Sequence, residues 1–385
     1  MKSRFLSAIL CGVMVFWSLV PMSAAAEYPD LSLDCVSAIL VEAQTGRVLY
    51  EKNADEALPP ASVTKIMTLL LVMEAIERGV FSYDTMLTAS AHAASMGGSQ
   101  IFLKEGERMS VDDLLKSVVI ASANDAAVVL AEAVAGSEGA FVELMNKRAA
   151  ELGMKSAHFE NTNGLDDTVI NHVLSARDIA IMSRELIKHE RILKYSSTWM
   201  DTVRDGAFGL SNTNRLVRFY EGATGLKTGS TAKAKFCISA TAKRDGMHLI
   251  AVIMASPTRD ARNAAAAALL DWGFANFSLY RYRGAELSPV KVTGGDSDFC
   301  AVSHGDFCTV VGKGKDKNVE VRIELPESIA APIMRGDKVG DVVFTLDGKE
   351  LASVDISAQD SIDRISFASL FVRMIFGFFG CSKKL

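Results

Sequence analysis

Metal-binding motifs, an excess of positive charge and internal repeats are all missing from this sequence. The six histidines are scattered and form no His-Glu-x-x-His motif, so we expect neither a metal in catalysis nor a cofactor. Acidic residues outnumber basic ones by 46 to 41, and the resulting net charge of −5 argues against nucleic acid as a partner. Repeats and low-complexity tracts are absent apart from an alanine run at residues 264–268.

Cysteine is too scarce for a complete set of disulfides. Five cysteines follow residue 26, and an odd number cannot all pair within one chain. Cys35 and Cys237 lie in apolar strand patterns that are typical of buried thiols. Cys300, His304 and Cys308 have ligand-like spacing, and three interpretations stay open: an incidental pattern, a disulfide of an exported protein, or a metal site.

The N-terminal residues are typical of a targeting segment. Lys2 and Arg4 precede an apolar run at residues 5–20, and three alanines at 24–26 offer a small-residue cleavage site. This pattern predicts a secretory signal peptide over residues 1–26 and therefore an exported protein; an uncleaved N-terminal anchor is the alternative. Loss of Lys2 and Arg4 makes the mature chain more acidic than the whole.

Residues 361–385 form a second segment with a membrane pattern. They are apolar around most of a helix, which predicts an amphipathic helix lying on a membrane surface, here the outer face of the cytoplasmic membrane. Arg373 near the middle argues against spanning, because it would cost about 2.5 to 3.5 kcal/mol in the bilayer core. The alternative is a helix docked on the protein's own core. The segment is positively charged, which favours an anionic lipid surface. It contains one acidic residue, Asp363, and four basic residues, Arg364, Arg373, Lys383 and Lys384.

The chain is long enough for two domains between these ends. Hydrophobic residues make up 49% of it, which is ample for two cores. We place the boundary near Leu287, after a helical stretch at 258–274. Short alternating strands and turns follow, so we expect a larger domain over 27–286 and a small β domain over 287–360.

The first candidate catalytic motif is Ser62-Val63-Thr64-Lys65. A bare S-x-x-K match is weak, since residues 230–233 and 288–291 also fit. At Ser62, however, Pro59-Pro60 precedes an apolar series with helical spacing that runs to Gly79, which predicts an amphipathic helix with Ser62 at its N-terminus. Lys65 shares a helix face with Ser62, and a buried lysine near other cations loses its proton readily. Lys65 is therefore a candidate general base for Ser62.

Two further short motifs stand at structurally informative places. Ser122-Ala123-Asn124 interrupts two helical runs, and such a polar corner can aim side chains into a cleft, although Ser and Asn are also ordinary corner residues. Lys227-Thr228-Gly229 precedes the strongest strand signal in the chain, a predicted hairpin over 234–254 with an Asp245-Gly246 turn. A lysine and a hydroxyl beside a glycine suit a bound carboxylate.

Together the three motifs resemble those of penicillin-binding proteins and class A β-lactamases. The sequence is more similar to the low-molecular-mass penicillin-binding proteins, which are serine D-alanyl-D-alanine carboxypeptidases. The similarity is strong over residues 30–280 and looser beyond. Further stretches that carry it are residues 46–51, 61–68, 163–165, 175–178 and 225–229.

This resemblance implies an α+β fold. The expected catalytic domain is an antiparallel sheet, including strands near 35–52 and 227–255, that is flanked by helices and joined to a helical lobe at about 110–188. The small all-β domain would lift this catalytic domain off the membrane, and the C-terminal amphipathic helix would anchor it there.

The resemblance also implies the chemistry. Ser62 would attack the bond between two D-alanines of a peptidoglycan stem peptide, with Lys65 as base and Ser122 as proton relay. Asn124 would hold Lys65 and the substrate amide, and the N–H groups of Ser62 and Ser230 would form the oxyanion hole. The implied site residues are Ser62, Lys65, Ser122 and Asn124 for catalysis, and Lys227, Thr228, Gly229 and Ser230 for binding the substrate and its terminal carboxylate.

β-Lactams should acylate Ser62 through the same geometry. The alternatives in this superfamily are a class A-like β-lactamase and a D,D-endopeptidase or transpeptidase; a non-enzymatic wall-binding protein is a third class, against which the intact motifs argue. Class A β-lactamases usually have S-D-N where this chain has S-A-N, and a Glu-x-x-Leu-Asn stretch where it has Glu160-Asn161-Thr162-Asn163. We therefore predict that Glu160 is a loop residue and that β-lactam turnover is slow.

Overall fold

The computed structural model describes residues 28–167 and 169–378, so the predicted signal peptide lies outside the described residues. One-turn 3₁₀ helices lie at Ala61–Thr64 and Lys315–Asn318. The described α-helices are α1 (Lys65–Glu77), α2 (Ala91–Ala94), α3 (Val111–Ile120), α4 (Asn124–Ala135), α5 (Glu138–Glu151), α6 (Ala176–Leu186), α7 (Glu190–Ser196), α8 (Leu216–Phe219), α9 (Arg259–Asn276) and α10 (Phe367–Phe378). The described strands are β1 (Ser37–Glu42), β2 (Val48–Lys52), β3 (Met86–Thr88), β4 (Arg108–Ser110), β5 (Met200–Val203), β6 (Phe208–Ser211), β7 (Ala223–Thr231), β8 (Lys235–Arg244), β9 (Met247–Ser256), β10 (Phe277–Tyr282), β11 (Val290–Thr293), β12 (Phe299–Cys300), β13 (Val302–His304), β14 (Phe307–Gly312), β15 (Val319–Glu324), β16 (Ser328–Ala330), β17 (Lys338–Leu346) and β18 (Lys349–Ala358).

A five-stranded antiparallel sheet forms the centre of the larger, N-terminal part of the described chain. Its strand order is β2-β1-β9-β8-β7, which places β7 at one edge. The β8–β9 hairpin turns at Asp245 and Gly246, both with positive φ, as the Asp-Gly pair predicts. Helices α6 and α9 both pack on the central strands, so every residue of β1 is buried. The antiparallel sheet flanked by helices is confirmed.

Helix α1 differs in one respect from the sequence prediction. A helix follows Ser62, but it is buried around nearly its whole circumference instead of having one apolar face. It packs against α6 on one side and against α4 and α5 of the helical lobe on another. The helix is therefore the core element that joins the sheet to the lobe. This position explains why Lys65, its first residue, is buried.

The helical lobe is built mainly from α3, α4 and α5. Ser110 caps α3 by accepting a hydrogen bond from the Asp113 N–H group, as its sequence pattern indicates. An irregular stretch follows α5 and returns the chain to α6, which packs on the sheet instead of extending the lobe. The short irregular connection between α3 and α4 contains Ser122, whose φ is +65°. The lobe thus presents a strained polar corner toward the edge of the sheet.

The C-terminal part of the chain is a small β domain. Its core groups Phe344 with aliphatic side chains of β11, β17 and β18. Strand β10, which precedes the proposed boundary at 287, pairs in antiparallel fashion with β14 of this domain. Ile362 packs in the same core, so the domain's own packing continues two residues past 360.

Helix α10 leaves the β domain with its apolar side chains exposed. Phe367 is 84% exposed and Met374 is 65% exposed. Arg373 forms a salt bridge with Asp298 at 3.0 Å. Among the residues that the structure describes, no helix combines the length and the apolar character needed to cross a membrane.

The four cysteines that the structure describes are all free thiols. Cys237 and Cys300 are buried, whereas Cys35 and Cys308 are half-buried. Cys381 lies outside the described residues. Within the described ranges, no group of histidine, cysteine and acidic side chains is arranged to hold a metal ion.

Candidate active site

Ser62 lies on a tight 3₁₀ turn that contacts strand β7. Gly229 of β7 makes the contact possible, because a Cβ atom there would lie 2.8 Å from both the Pro60 carbonyl oxygen and the Ser62 nitrogen. Real Cβ atoms do not approach backbone that closely, so only glycine lets the strand pass. The third motif is therefore held directly against the first.

Lys65 is completely buried beside Ser62. Its Nζ atom lies 2.8 Å from Ser62 Oγ and donates a hydrogen bond of 2.7 Å to the Asn163 carbonyl oxygen. Burial lowers the pKa of Lys65 well below its ordinary value, and the nearby charge of Lys227 lowers it further, while Asp125 opposes both. A carbonyl can only accept, so one N–H must point at Asn163, and once the amine has lost its extra proton its lone pair can face Ser62.

A second lysine–serine pair lies across the same cleft. Lys227 Nζ donates to Ser122 Oγ at 2.8 Å and to the Thr228 carbonyl at 2.9 Å. Burial lowers the pKa of Lys227 to about 7, with a smaller contribution from the charge of Arg262. Lys227 therefore changes its protonation state near neutral pH.

Asn124 occupies the first turn of α4 at the polar corner. Its Nδ2 donates to the Gly97 carbonyl at 2.7 Å, and its backbone N–H donates to the Ser99 carbonyl at 2.7 Å. Its buried Oδ1 has no hydrogen-bond partner. In the structure Asn163, not Asn124, holds Lys65. An unpaired buried acceptor costs about 1 to 3 kcal/mol, so Asn124 Oδ1 is ready to accept from a ligand N–H.

The cleft above Ser62 has a volume of about 230 Å³ and contains cations that the sequence motifs did not indicate. Arg262 is only 3% exposed, and burial lowers its pKa to about 10, so it stays charged at neutral pH. Arg259 and Arg262 lie in the first turn of α9, where the helix dipole disfavours cations. Two arginines at a helix N-terminus, where cations are unfavourable, were the sequence signal that could have indicated an anion-binding site here. The lining residues are Ser62, Ser99, Ser122, Trp199, Asn212, Thr213, Arg215, Thr228, Gly229, Ser230, Arg259 and Arg262.

Two polar groups of β7 complete this wall of the cleft. Thr228 donates from Oγ1 to Thr213 Oγ1 at 2.7 Å, and Ser230 is exposed to the cleft. The wall therefore combines hydroxyl groups with the arginines, and the buried Lys227 is hydrogen-bonded to Ser122 of the same lining. Such a surface fits a small carboxylate.

Glu160 lies apart from this cleft. Its carboxylate accepts hydrogen bonds from the backbone N–H groups of Ile170 and Asn171, at 2.8 and 3.2 Å. It is not one of the residues that line the cleft. Its hydrogen bonds serve to close a loop.

The fold and the geometry of the cleft define the class of protein. A serine is paired with a buried lysine at the edge of an antiparallel sheet, and a second serine–lysine pair lies opposite. This arrangement is typical of a serine enzyme that transfers acyl groups.

Comparison with known proteins gives the family. Residues 22–258 match the family model described as D-alanyl-D-alanine carboxypeptidase, and residues 274–364 match the model described as penicillin-binding protein 5, C-terminal domain. The chain belongs to the D-alanyl-D-alanine carboxypeptidase family, whose members are serine carboxypeptidases and act on peptidoglycan.

Individual relatives match most of the chain. The D-alanyl-D-alanine carboxypeptidase DacF of Bacillus subtilis is 41% identical over 382 residues, which cover 96% of this chain and 97% of that protein. The structure of penicillin-binding protein 5 from Haemophilus influenzae has a TM-score of 0.77 and 32% identity, covering 88% of this chain and 99% of that one. Penicillin-binding protein D2 from Listeria monocytogenes, in its ampicillin-bound form, has a TM-score of 0.59 and 33% identity, covering 64% and 100%.

Proposed function

We propose that the protein removes the terminal D-alanine from peptidoglycan stem peptides through an acyl-enzyme on Ser62. The observation that carries this proposal is the environment of Lys65: its amine is buried, 2.8 Å from Ser62 Oγ, and hydrogen-bonded to a carbonyl that can only accept. A neutral amine in this place is a general base for the serine hydroxyl.

The acylation step follows from these positions. Lys65 takes the proton of Ser62 while Oγ bonds to the carbonyl carbon between the two D-alanines, and the N–H groups of Ser62 and Ser230 stabilise the resulting oxyanion. Collapse of this intermediate breaks the C–N bond. The leaving amine receives a proton through Ser122, to which Lys227 donates. Water then hydrolyses the ester: Lys65 returns its proton to the Ser62 oxygen as that oxygen leaves, and the proton released by the water restores Lys227.

The wall of cations and hydroxyls gives the reaction its specificity for a C-terminal residue. Thr228 and Arg262, which line the cleft, and Lys227, which is hydrogen-bonded to Ser122, bind the terminal carboxylate of the substrate. In a peptide with a further residue after the second D-alanine, an amide would take the place of this carboxylate. The buried Arg262 would then have no anion to bind. Asn124 Oδ1, unpaired in the structure, accepts from an amide N–H of the bound stem peptide.

β-Lactams carry a strained amide and a carboxylate, so they acylate Ser62 by the same route. The ampicillin-bound and cefotaxime-bound forms of the Listeria protein support this extension. Release is slow in our proposal, because Glu160 is engaged with the backbone of its own loop and does not reach the cleft. The protein is thus inhibited by penicillins and does not destroy them.

The protein acts outside the cytoplasmic membrane, attached to its outer face. A signal-peptide pattern at residues 1–26 supports export. The exposed apolar side chains of α10, together with the basic residues of the C-terminal segment, support attachment to an anionic lipid surface. The small β domain then separates the cleft from the membrane.

Release of D-alanine from a pentapeptide that ends in D-Ala-D-Ala tests the reaction. The purified protein should release one D-alanine for each peptide, and Ser62→Ala should release none above background. Equal release by both would remove Ser62 from the mechanism. A second assay uses muropeptides with and without cross-links. An endopeptidase would cleave cross-links and a transpeptidase would form new ones, whereas a carboxypeptidase would do neither.

A further inference from the structure

The start of α1 is hydrogen-bonded to a loop that follows the helical lobe. This loop, residues 160–167 and 169–172, is called the Asn163 loop here. Three of its residues contact the helix: His172 Nε2 lies 2.8 Å from Thr64 Oγ1, the Asn163 carbonyl accepts from Lys65, and the Thr162 carbonyl accepts from Thr68 Oγ1. All the groups involved are buried.

The hydrogen bonds of His172 fix its tautomer. Its Nδ1 accepts from the backbone N–H of Glu160 at 3.1 Å, so the ring proton is on Nε2 and is donated to Thr64 Oγ1. Thr64 in turn donates its hydroxyl proton to the Ala61 carbonyl at 2.8 Å. A directed chain of hydrogen bonds thus runs from the loop through His172 into the turn that carries Ser62.

Gly164 shows how closely the same loop approaches this turn. A Cβ atom at Gly164 would lie 1.9 Å from the Ala61 carbonyl oxygen and 2.8 Å from Thr64 Oγ1. The loop therefore contacts the residues on both sides of the Ser62–Val63 pair. The two residues that precede Gly164 are Thr162 and Asn163, whose carbonyl groups accept hydrogen bonds from Thr68 and Lys65.

We propose that His172 is a positioning residue for acylation: its hydrogen bond to Thr64 holds the Ser62 turn against the Asn163 loop, so that the Asn163 carbonyl keeps Lys65 aimed at Ser62. His172 itself touches neither the substrate nor Ser62. Its effect passes through Thr64, the residue directly before Lys65. The inference rests on the proposed roles of Ser62 and Lys65, and it adds His172 as the residue that keeps these two side chains in position.

Thr64 offers the matched pair of variants that tests this role. Thr64→Val keeps the shape but removes the hydroxyl that links His172 to Ala61, whereas Thr64→Ser keeps the hydroxyl. We expect the second-order rate of acylation by a fluorescent penicillin to fall about tenfold to a hundredfold in Thr64→Val and in His172→Ala, because small misplacements of reacting groups have effects of this size. Thr64→Ser and His172→Gln, which both retain a donor–acceptor pair, should stay within about threefold of the wild type.

Two measurements separate positioning from general stability. Each variant is assayed well below its melting temperature, and saturation kinetics divide the loss into the non-covalent affinity and the acylation rate constant. We expect the rate constant to fall while the affinity holds. His158→Ala is the control: this histidine is exposed, hydrogen-bonds the Asn171 carbonyl from the same part of the chain, and should leave acylation unchanged.

The proposal is overturned if Thr64→Val and His172→Ala acylate at the wild-type rate, or if their losses follow the melting temperature and the hydroxyl-retaining variants share them. Should His172→Ala fail to fold, the Thr64→Val and Thr64→Ser pair gives the same answer. A wild-type protein that penicillin does not label at Ser62 would instead contradict the proposed function, so the two failures are distinct.

Discussion

Lys227 Nζ and Ser122 Oγ are joined by a hydrogen bond of 2.8 Å, although 105 residues separate them in the chain. Lys227 belongs to the edge strand of the sheet, and Ser122 belongs to the corner of the helical lobe. The bond therefore closes the cleft between two substructures. It also gives Ser122 a proton donor whose pKa is about 7.

The pKa of Lys227 predicts a loss of activity on the alkaline side of neutrality. Lys227 is cationic below pH 7 and loses its proton as the pH rises through about 7, so binding of the substrate carboxylate should weaken above that pH. We expect kcat/KM for a D-Ala-D-Ala peptide to decline above pH 7, mainly through a rise in KM. Lys227→Arg, which stays protonated, should be less active but should lack this decline. A wild-type KM that is constant to pH 9 would contradict the assignment.

Replacing Arg262 should affect carboxylate recognition more than chemistry. Removing this buried guanidinium in Arg262→Gln should raise KM for a peptide with a free C-terminus by about 30-fold or more, the scale for losing a buried charge pair. A peptide with an amidated C-terminus should show little difference between the variant and the wild type. Arg283→Gln, at an exposed arginine of the chain, is the control. Equal effects on both peptides would show that Arg262 has only a structural role.

Gly229→Ala should damage acylation because the new Cβ would meet the backbone of the Ser62 turn at 2.8 Å. The strand or the turn must shift, and we expect a loss on the order of a hundredfold in the acylation rate. Gly209→Ala is the matched control, since Gly209 is also a strand residue and its Cβ would have no neighbour within 4 Å. Comparable rates in the two variants would mean that the close approach of β7 is unimportant.

Two histidines, the buried His172 and the half-buried His248, predict how stability depends on pH. Burial lowers the pKa values of His172 and His248 to about 4; Glu160 opposes the shift of His172, and His158 and Lys243 add to the respective shifts. Each histidine is neutral in the folded state, so its contribution to the free energy of unfolding is complete above pH 6.5 and is lost as the pH falls toward 4. The loss is about 3 kcal/mol for each.

Urea unfolding of the wild type and of His248→Gln at pH 7.5, 5.5 and 4.5 measures this effect. The difference between the two proteins should shrink or reverse as the pH falls, because the variant has no buried imidazole to protonate. A difference that is independent of pH would show that His248 titrates with its ordinary pKa. His248 is the better choice for this measurement because it lies away from the Ser62 turn, hydrogen-bonded to Thr224.

Removal of α10 should free the protein from lipid without reducing its activity. The deletion should begin at Phe367, because Ile362 packs in the core of the β domain and a cut at 361 would disturb it. We expect the truncated protein to lose binding to vesicles that contain anionic lipid while its D-alanine release is unchanged. Vesicles of neutral lipid serve as the control. Unaltered binding of the truncated protein to anionic vesicles would place the attachment elsewhere.

The side chains of the cleft could be predicted where a motif carries them, and the backbone groups could not. Ser62, Lys65, Ser122 and Lys227 are brought together as their motifs indicate. The acceptor that holds Lys65, however, is the carbonyl of Asn163, and every residue has a carbonyl, so no residue type could mark it. The family resemblance implied the side chain of Asn124 for this task, and that side chain donates to the Gly97 carbonyl instead.

The helix after Ser62 shows a second limit of periodicity. Its apolar residues at spacings of three and four indicate one buried face, but Met67 and Leu71 on the other faces are apolar and buried too, and a threonine there can also be buried when its hydroxyl finds a backbone acceptor. Thr68 does so by donating to the Thr162 carbonyl. A helix that is apolar on nearly every face is buried on every side, so the prediction of a single apolar face used only part of the pattern.

The most direct test of the account is to locate the covalent adduct that a penicillin forms. After a short incubation, intact-mass measurement should show one penicilloyl group on each protein, and peptide mapping should place it on Ser62. The adduct should persist for much longer than it takes to form, and Lys65→Met should prevent its formation. An adduct on another residue would contradict the assignment of Ser62 and Lys65 as the reacting pair, and rapid turnover that leaves no adduct would contradict the proposed slow release.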